Sequence, residues 1–374
     1  MVMYKKIYIK PNNVQRSQLI HFSDTNRYVH NAMFTLRQSV YNATKKNTSV
    51  SACIQFIRDM NHSWVQDCPD TIISRNAEIL EEQYKRFFRE RTIKSHPDLW
   101  KKSLCKPMFS LGYSDIRQID SKHLAIQKLT GYLKTNSFVL PANASEIHIT
   151  NDGKNWYLVF SYEVRKHAAI PDKKRVGIDL GLSCYATLSD LSWFEGIWQT
   201  PTVLKLKAQI DGLSVAIAHR LKYNGNRETK GVLELRHTLA MYKRRLHNIT
   251  VNFIHQLTHD LAKTTQGSIV IEDLDIPAMM RNKDLAESIR EREFDRFRRY
   301  LDYKCKLAGV TLIVADRFYP SSKLCSTCGY LKSAMPLSQR IYECPSCGNR
   351  IGRDTNAAVN LQYYTPDWRD KIHG

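Results

Sequence analysis

The chain has 374 residues, enough for two or three domains that each bury a core without crosslinks. Its 56 Lys and Arg against 36 Asp and Glu give a net charge of +20, more than solubility requires, and point to a polyanion as partner. No apolar run of about 18 residues is present to cross a bilayer, and the opening MVMYKKIYIKPNN lacks the apolar core and small-residue cleavage site of a signal peptide. The expected compartment is therefore cytoplasmic, at the nucleoid. There thiols stay reduced, so the nine cysteines are not a disulfide framework. Cys53, Cys68, Cys105, Cys184 and Cys305 are scattered singly, and only the last four are paired.

Along the chain, YKKIYIKP alternates like a short strand and stops at Pro11. From about Val14 to Tyr41, Leu19, Phe22, Val29, Met33, Leu36 and Val40 recur at helical spacing. A second helical stretch, RNAEILEEQYKRFFRERTIK, carries Leu80, Tyr84 and Phe87 on one stripe, with Lys85, Arg86, Arg89 and Arg91 beside it. Those cations form either a solvated helix face or a nucleic-acid contact. EIHITNDGKNWYLVFSYEV then reads as two strands turning at Asn151-Asp152-Gly153. With the first strand and KPMFSLG this predicts a small β domain into which the helical block is inserted.

After KHAAIPDKKR, the segment VGIDLGLSCYATLSD gives an apolar strand and a second strand. Two long helices follow; in the second, Leu235, Leu239, Tyr242, Leu246, Ile249, Phe253, Leu257 and Leu261 make one stripe. Then come a buried strand in SIVIEDLDI, a single charged helix over 285–309, a strand in VTLIVADRF, the cysteine segment and a terminal helix DTNAAVNLQYY.

Three acids stand out. Asp179 lies in an apolar strand between Gly177 and Gly181, where a carboxylate is costly unless it binds something. Glu272 follows three β-branched residues and opens an acidic cluster with Asp273 and Asp275, any of which could be a strand-end acid facing water. Asp354 heads the terminal helix and by itself could be an acid favoured by the helix dipole. Taken in order, an acid in a first strand, one in a later central strand and one on a C-terminal helix make the layout of an RNase H-like nuclease. Such carboxylates repel one another unless cations intervene, and two Mg²⁺ would activate a water and stabilise a leaving oxygen. Cys325-x-x-Cys328 and Cys344-x-x-Cys347, 15 residues apart and each followed by a glycine, match a Cys₄ zinc site. Four thiolates close the tetrahedron, so this zinc is structural.

The set VGIDLGLSCYATLSD, IVIEDLDI, FYPSSKLCSTCG and CPSCGNRIGRDTNAAVNL resembles the TnpB family, the transposon-encoded proteins also called OrfB, which are related to type V CRISPR effectors. The resemblance is specific from about Arg175 to Leu361. It implies a RuvC-like nuclease with Asp179, Glu272 and Asp354 as its catalytic, magnesium-holding acids, and Cys325, Cys328, Cys344 and Cys347 as a zinc ribbon. The implied activity is RNA-guided DNA cleavage beside a short flanking motif, by a monomer carrying one guide RNA made from the transposon end, with double-stranded DNA as target and no membrane partner. Ser183 stands where the family often has a basic residue and Gly352 where an acid often precedes the catalytic one; neither removes a triad member.

The expected fold class is α/β multidomain. A β-barrel-like wedge domain would span 1–12 and 106–170, a helical recognition lobe 13–105, the RuvC-like domain 171–320 and 351–374, and the ribbon 321–350. Three rival functions stand beside this one: an unguided transposase or resolvase, which uses the same acids; a zinc-ribbon nucleic-acid binder with an inert nuclease fold, against which the complete acid triad stands; and an actin-like ATPase, which shares only GIDLG. The last lacks a second glycine-rich phosphate loop to accompany GIDLG.

Overall fold

The computed structural model describes residues 1–90, 96–102, 107–165, 174–336 and 338–373. They form two compact units, Met1–Val164 and Arg165–Gly374. The division falls after Val164, ahead of the boundary expected at 170; residues 166–173 lie outside the described set, as do Arg91, Cys105 and the junction expected at 105/106.

In the first unit, strand β1 (Val2–Lys10) is followed by helices α1 (Asn13–Thr44), α2 (Val50–Asp59), α3 (Ser63–Gln66) and α4 (Thr71–Glu90). Strands β2 (Met108–Leu111), β3 (Ile116–Asp120), β4 (His123–Ile126), β5 (Leu133–Thr135), β6 (Ser145–Asn151) and β7 (Trp156–Glu163) complete it. The sequence starts α1 with a reciprocal cap. Asn12 Oδ1 accepts from the Gln15 amide at 2.9 Å and Gln15 Oε1 accepts from the Asn12 amide at 3.0 Å. The first half of α1 buries Leu19 and Phe22 against the sheet, and its second half buries Val29, Met33 and Phe34 against α2 and α4. One helix thus serves two cores, which is why the sheet and the helical block form a single unit.

The strands make one antiparallel seven-stranded sheet in the order β2-β6-β7-β1-β5-β4-β3. β6 and β7 join through Gly153 at φ 97, whose amide donates to Asn151 Oδ1 at 2.6 Å. The two edge strands, β2 and β3, are neighbours in sequence, joined only by the turn at Gly112–Asp115. A link that short forces the sheet to curl until its edges approach, and a barrel-like interior follows, filled by Ile9, Phe109, Leu124, Leu133, Leu158 and Phe160. Strands β3 to β5 stand out in no apolar run because each has three to five residues and buries only one or two of them.

In the second unit, β8 (Lys174–Leu180), β9 (Ala186–Leu188) and β10 (Trp193–Phe194) precede the helical hairpin α5 (Pro201–Tyr223) and α6 (Lys230–Thr264). Then come β11 (Gly267–Ile271), α7 (Ile276–Met279), α8 (Lys283–Arg292), α9 (Phe294–Ala308) and β12 (Thr311–Val314). A two-stranded ribbon of β13 (Ile341–Glu343) and β14 (Arg350–Gly352) leads into α10 (Arg353–Gln362) and α11 (Trp368–His373). The main sheet runs β10-β9-β8-β11-β12, with β8, β11 and β12 parallel and β9 and β10 antiparallel. All five residues of β11 are buried because helices cover both faces. Ile269 and Ile271 meet α6 and α9, while Val270 meets Leu361, Tyr364 and Trp368.

Two expectations need correction. The charged helix expected over 285–309 is two helices, because Glu293 takes left-handed backbone at φ 47. The break turns Phe294, Phe297 and Leu301 into the core beside Tyr185 and leaves the Arg292 carbonyl to accept from the Tyr185 hydroxyl at 3.1 Å. The stripe of α6 is buried only from Thr250 onward, through Ile254, Leu257 and Leu261; Leu235, Leu239, Tyr242, Leu246 and Ile249 are half-buried, since there α6 packs mainly on α5, with His247 reaching Glu293 at 3.1 Å.

Candidate functional site

Asp179 sits near the end of β8, and Glu272 is the first residue beyond β11. Because Ile271 pairs with Ile178 in parallel register, the next step along each strand brings Glu272 beside Asp179. Asp354 lies in the first turn of α10. That helix crosses β8 with no room for a side chain between them, since a Cβ at Gly177 would collide with the Ala358 carbonyl oxygen and the Gln362 amide. The glycine two residues before Asp179 is therefore what lets α10 bring Asp354 to the same place.

The three acids line one cavity of about 630 Å³. Arg340, Arg353 and Ser322 share its wall with them, and Leu182, Leu274, Met279, Leu285, Ile289 and Phe294 form an apolar side. All three acids are half-buried. Burial, reinforced by the nearby negative charges of Glu272 and Asp354, pushes the Asp179 carboxyl well above its ordinary range. Burial raises Glu272 as well, opposed by the hydroxyl of Ser321, which donates to Glu272 Oε1, and by the Arg353 charge. Oxygen donors crowded until they repel one another are a donor set suited to hard divalent cations. Among the described residues the three carboxylates do not draw within 4.8 Å of one another, as the four thiols do.

The acidic cluster after β11 resolves residue by residue. Asp273 is held by Arg298 at 2.8 Å and by Arg317 at 2.8 Å. Asp275 meets Arg317 at 3.2 Å and caps α7 by accepting from the Ala278 amide at 3.0 Å. Glu272 alone of the three faces the cavity.

The thiols of Cys325, Cys328, Cys344 and Cys347 converge, with Cys325 and Cys347 sulfurs 3.7 Å apart and those of Cys328 and Cys344 3.5 Å apart. Four sulfurs at about 2.3 Å from a tetrahedral zinc stand about 3.8 Å from one another, so the cluster fits that ion. Gly329 and Gly348, at φ 75 and 74, end the two knuckles, and their amides donate to the carbonyls of Cys325 and Cys344, both at 3.0 Å. Burial pushes the Cys325 thiol up, but amide donation from Cys328 and Thr327 and the neighbouring thiols outweigh it and hold the group down to about 6.

Two buried asparagines one turn apart on α10 connect the thiol segment to the acids. Asn356 accepts from the Ser326 amide at 3.0 Å and donates to the Leu324 carbonyl at 2.7 Å. Asn360 donates to the carbonyls of Ser321 and Leu324, both at 2.7 Å. The helix carrying Asp354 is thereby tied to the chain that carries Ser321 and the first knuckle. Neither the asparagines nor Ser321 and Arg353 is legible as functional from sequence; the one available signal is a pair of poor helix formers spaced by four in an apolar helix.

Known proteins share these regions. The profile of the OrfB_IS605 family, described as "Probable transposase", matches residues 159–283, and that of the "Cas12f1-like, TNB domain" matches 294–361. A "Putative RNA-guided DNA endonuclease" of Streptomyces pristinaespiralis is 31% identical over 225 residues, covering 59% of this chain and 54% of that protein. One of Mycobacterium tuberculosis is 34% identical over 211 residues, covering 54% and 43%. The chain thus spans about half the length of these relatives. "Putative RNA-guided DNA endonuclease InsQ" of Escherichia coli strain K12 is 22% identical over 378 residues, covering 95% and 90%. The fold resembles that of a chain in the Cas12f1-sgRNA-target DNA complex with a TM-score of 0.55 at 13% identity, covering 95% of this chain and 83% of that one.

Proposed function

We propose, from the premise that the chain belongs to the TnpB (OrfB) family, that it is an RNA-guided DNA endonuclease. The observation that carries this reading is the meeting of Asp179, Glu272 and Asp354 in one cavity. The five-stranded sheet is the RNase H-like, RuvC-type domain, 321–350 its zinc ribbon, the curled sheet the wedge and α1–α4 the recognition lobe.

Asp179, Glu272 and Asp354 hold divalent cations, with Mg²⁺ the natural choice for carboxylate donors and a phosphodiester substrate. Standing around the cavity rather than converging on a point, they suit a pair of ions better than one. Bound there, the cations would activate a water and neutralise charge on the scissile phosphate. Ser321 fixes the rotamer of Glu272 by donating to it. Arg353 and Arg340 present positive charge to a backbone phosphate entering the cavity, and the apolar side formed by Leu274, Met279 and Leu285 limits water around it. The thiol cluster offers zinc no open position and supports the site through Asn356 and Asn360, which seat α10.

Sequence recognition is assigned to a transposon-derived guide RNA paired with one DNA strand, leaving the protein to read duplex shape, phosphates and a short flanking motif. The +20 charge supports this division of labour. The complex is one chain with one RNA, acting in the cytoplasm on nucleoid DNA; among the described residues no helix is long and apolar enough to cross a membrane. The test is purification with co-bound RNA, sequencing of that RNA, and incubation with Mg²⁺ and plasmids bearing matched or scrambled targets beside a randomised flank. Cleavage only of matched targets with a particular flank is expected. Equal cleavage of scrambled targets, or full activity after RNA removal, overturns guidance.

A further inference from the structure

The α5–α6 hairpin reaches well beyond the core it is built on. Its last core-facing turn begins near Thr250, and α6 starts at Lys230; at 1.5 Å per residue the tip stands about 30 Å farther out. The tip is rigid. Helix α5 ends in a paired cap in which the Asn226 amide donates to the Leu221 carbonyl at 2.7 Å and the Gly225 amide to the Lys222 carbonyl at 3.4 Å. Gly225 and Asn226 both take left-handed backbone, at φ 58 and 62. The last helical residue before that cap is Tyr223.

Tyr223 is 87% exposed, and among the described residues its ring stacks on no other ring and its hydroxyl bonds to nothing. Around it, Lys222, Arg227 and Lys230 have no carboxylate partner among the described residues, while the nearby acid Glu228 is taken by Arg236. A helix end that only closed a hairpin would be served by any polar residue. Here an exposed aromatic side chain stands at a capped helix end among cations that have no carboxylate partner among the described residues. A π-face with positive charge beside it matches a base with its adjoining phosphates, and it needs that base unstacked. A duplex, whose bases are covered, offers Tyr223 nothing.

We propose that this tip is a docking point for an unpaired nucleotide strand, in which Tyr223 stacks on a base and Lys222, Arg227 and Lys230 take adjoining phosphates. It rests on the functional reading above only in the class of partner, not on guidance or cleavage. An unpaired strand arises in two places in a guided reaction, in the guide RNA and in the displaced DNA strand, and both present the same chemistry.

The full chain, kept in EDTA so that nothing is cut, is titrated with labelled oligonucleotides of one sequence as single-stranded RNA, single-stranded DNA and duplex DNA. Matched single strands carrying 5-iodouracil are crosslinked to it and the modified peptide is identified by mass spectrometry. The crosslink is expected on the peptide containing Tyr223. Tyr223→Ala should weaken binding of one single strand by about tenfold, Tyr223→Phe should keep it, and duplex binding should change less than about twofold. Lys222→Gln and Arg227→Gln should each lower the salt slope by about 0.7. Whether RNA or DNA shows the larger loss names the source. The proposal is overturned if Tyr223→Ala leaves single-strand affinity and crosslinking intact, or weakens duplex and single strand alike. If the unaltered chain binds none of the three, the functional reading fails with it.

Discussion

The thiol cluster and the carboxylate cavity lie at opposite ends of one short connection, and they differ in almost every physical respect. The four sulfurs stand 3.5 to 3.7 Å apart in their closest pairs, fixed by glycine-ended knuckles, and leave no free position. The three carboxylates line about 630 Å³ of open space, and burial, reinforced by their neighbours' negative charge, raises the proton affinity of Asp179 and Glu272. A closed, soft donor set holds a fold together; an open, hard and electrostatically strained one holds ions that must meet substrate. The asparagines of α10 convert the stability of the first into the placement of the second.

The comparison can be broken at four points. The largest effect is expected at the thiols. Cys344→Ser should abolish zinc binding, a loss on the order of 10 kcal/mol coupled to local folding, and should disorder 321–350. Elemental analysis should read about one zinc per chain before the substitution and none after. At the cavity, Asp179→Ala, Glu272→Ala and Asp354→Ala should each lower cleavage by about 10² to 10⁴, the scale of several kcal/mol of metal-borne charge stabilisation, with nucleic-acid binding retained. A Glu272→Ala chain that still cuts well would remove the assignment.

Smaller effects sharpen the link. Asn360→Ala leaves the Ser321 and Leu324 carbonyls short of a donor, so about 1 to 3 kcal/mol of stability should go, together with part of the cleavage rate as α10 loosens. Zinc content should not change; its loss would mean that the asparagine serves the ribbon rather than the acids. The smallest effect is on pH. Asp179 and Glu272 have raised proton affinity in the fold, so between the ordinary carboxylate range and those raised values the folded, metal-free chain binds more protons than the unfolded one. Its stability should therefore fall as pH climbs through that window. Asp179→Asn removes the charge, and in EDTA its melting temperature should overtake that of the unaltered chain as pH rises from about 4 toward 7. A constant gap would show that neither burial nor its neighbours' charge holds Asp179 above the ordinary carboxylate range.

Much of this was readable beforehand, for identifiable reasons. Asp179 was conspicuous because a carboxylate in an apolar strand contradicts its surroundings, and the cysteines because zinc imposes spacing. What stayed hidden was set by tertiary contact. Strands β3 to β5 are too short to carry a period and exist through pairing with β1 and with one another. The break at Glu293 is dictated by the packing around Tyr185, with nothing in the local sequence to mark it. The first half of the α6 stripe has the right period and no core to face. At the site, the choice of Glu272 over Asp273 and Asp275 depends on Arg298 and Arg317, which lie far along the chain.

The most direct measurement is to treat the purified chain, loaded with the guide RNA proposed for it, with EDTA under conditions that spare the thiol cluster, then follow zinc content and cleavage of a matched target as Mg²⁺ is returned. If one site is structural and the other reactive, about one zinc per chain remains throughout while cleavage disappears and is fully restored by Mg²⁺. Cleavage that survives EDTA, or that returns only with added zinc, would contradict the account.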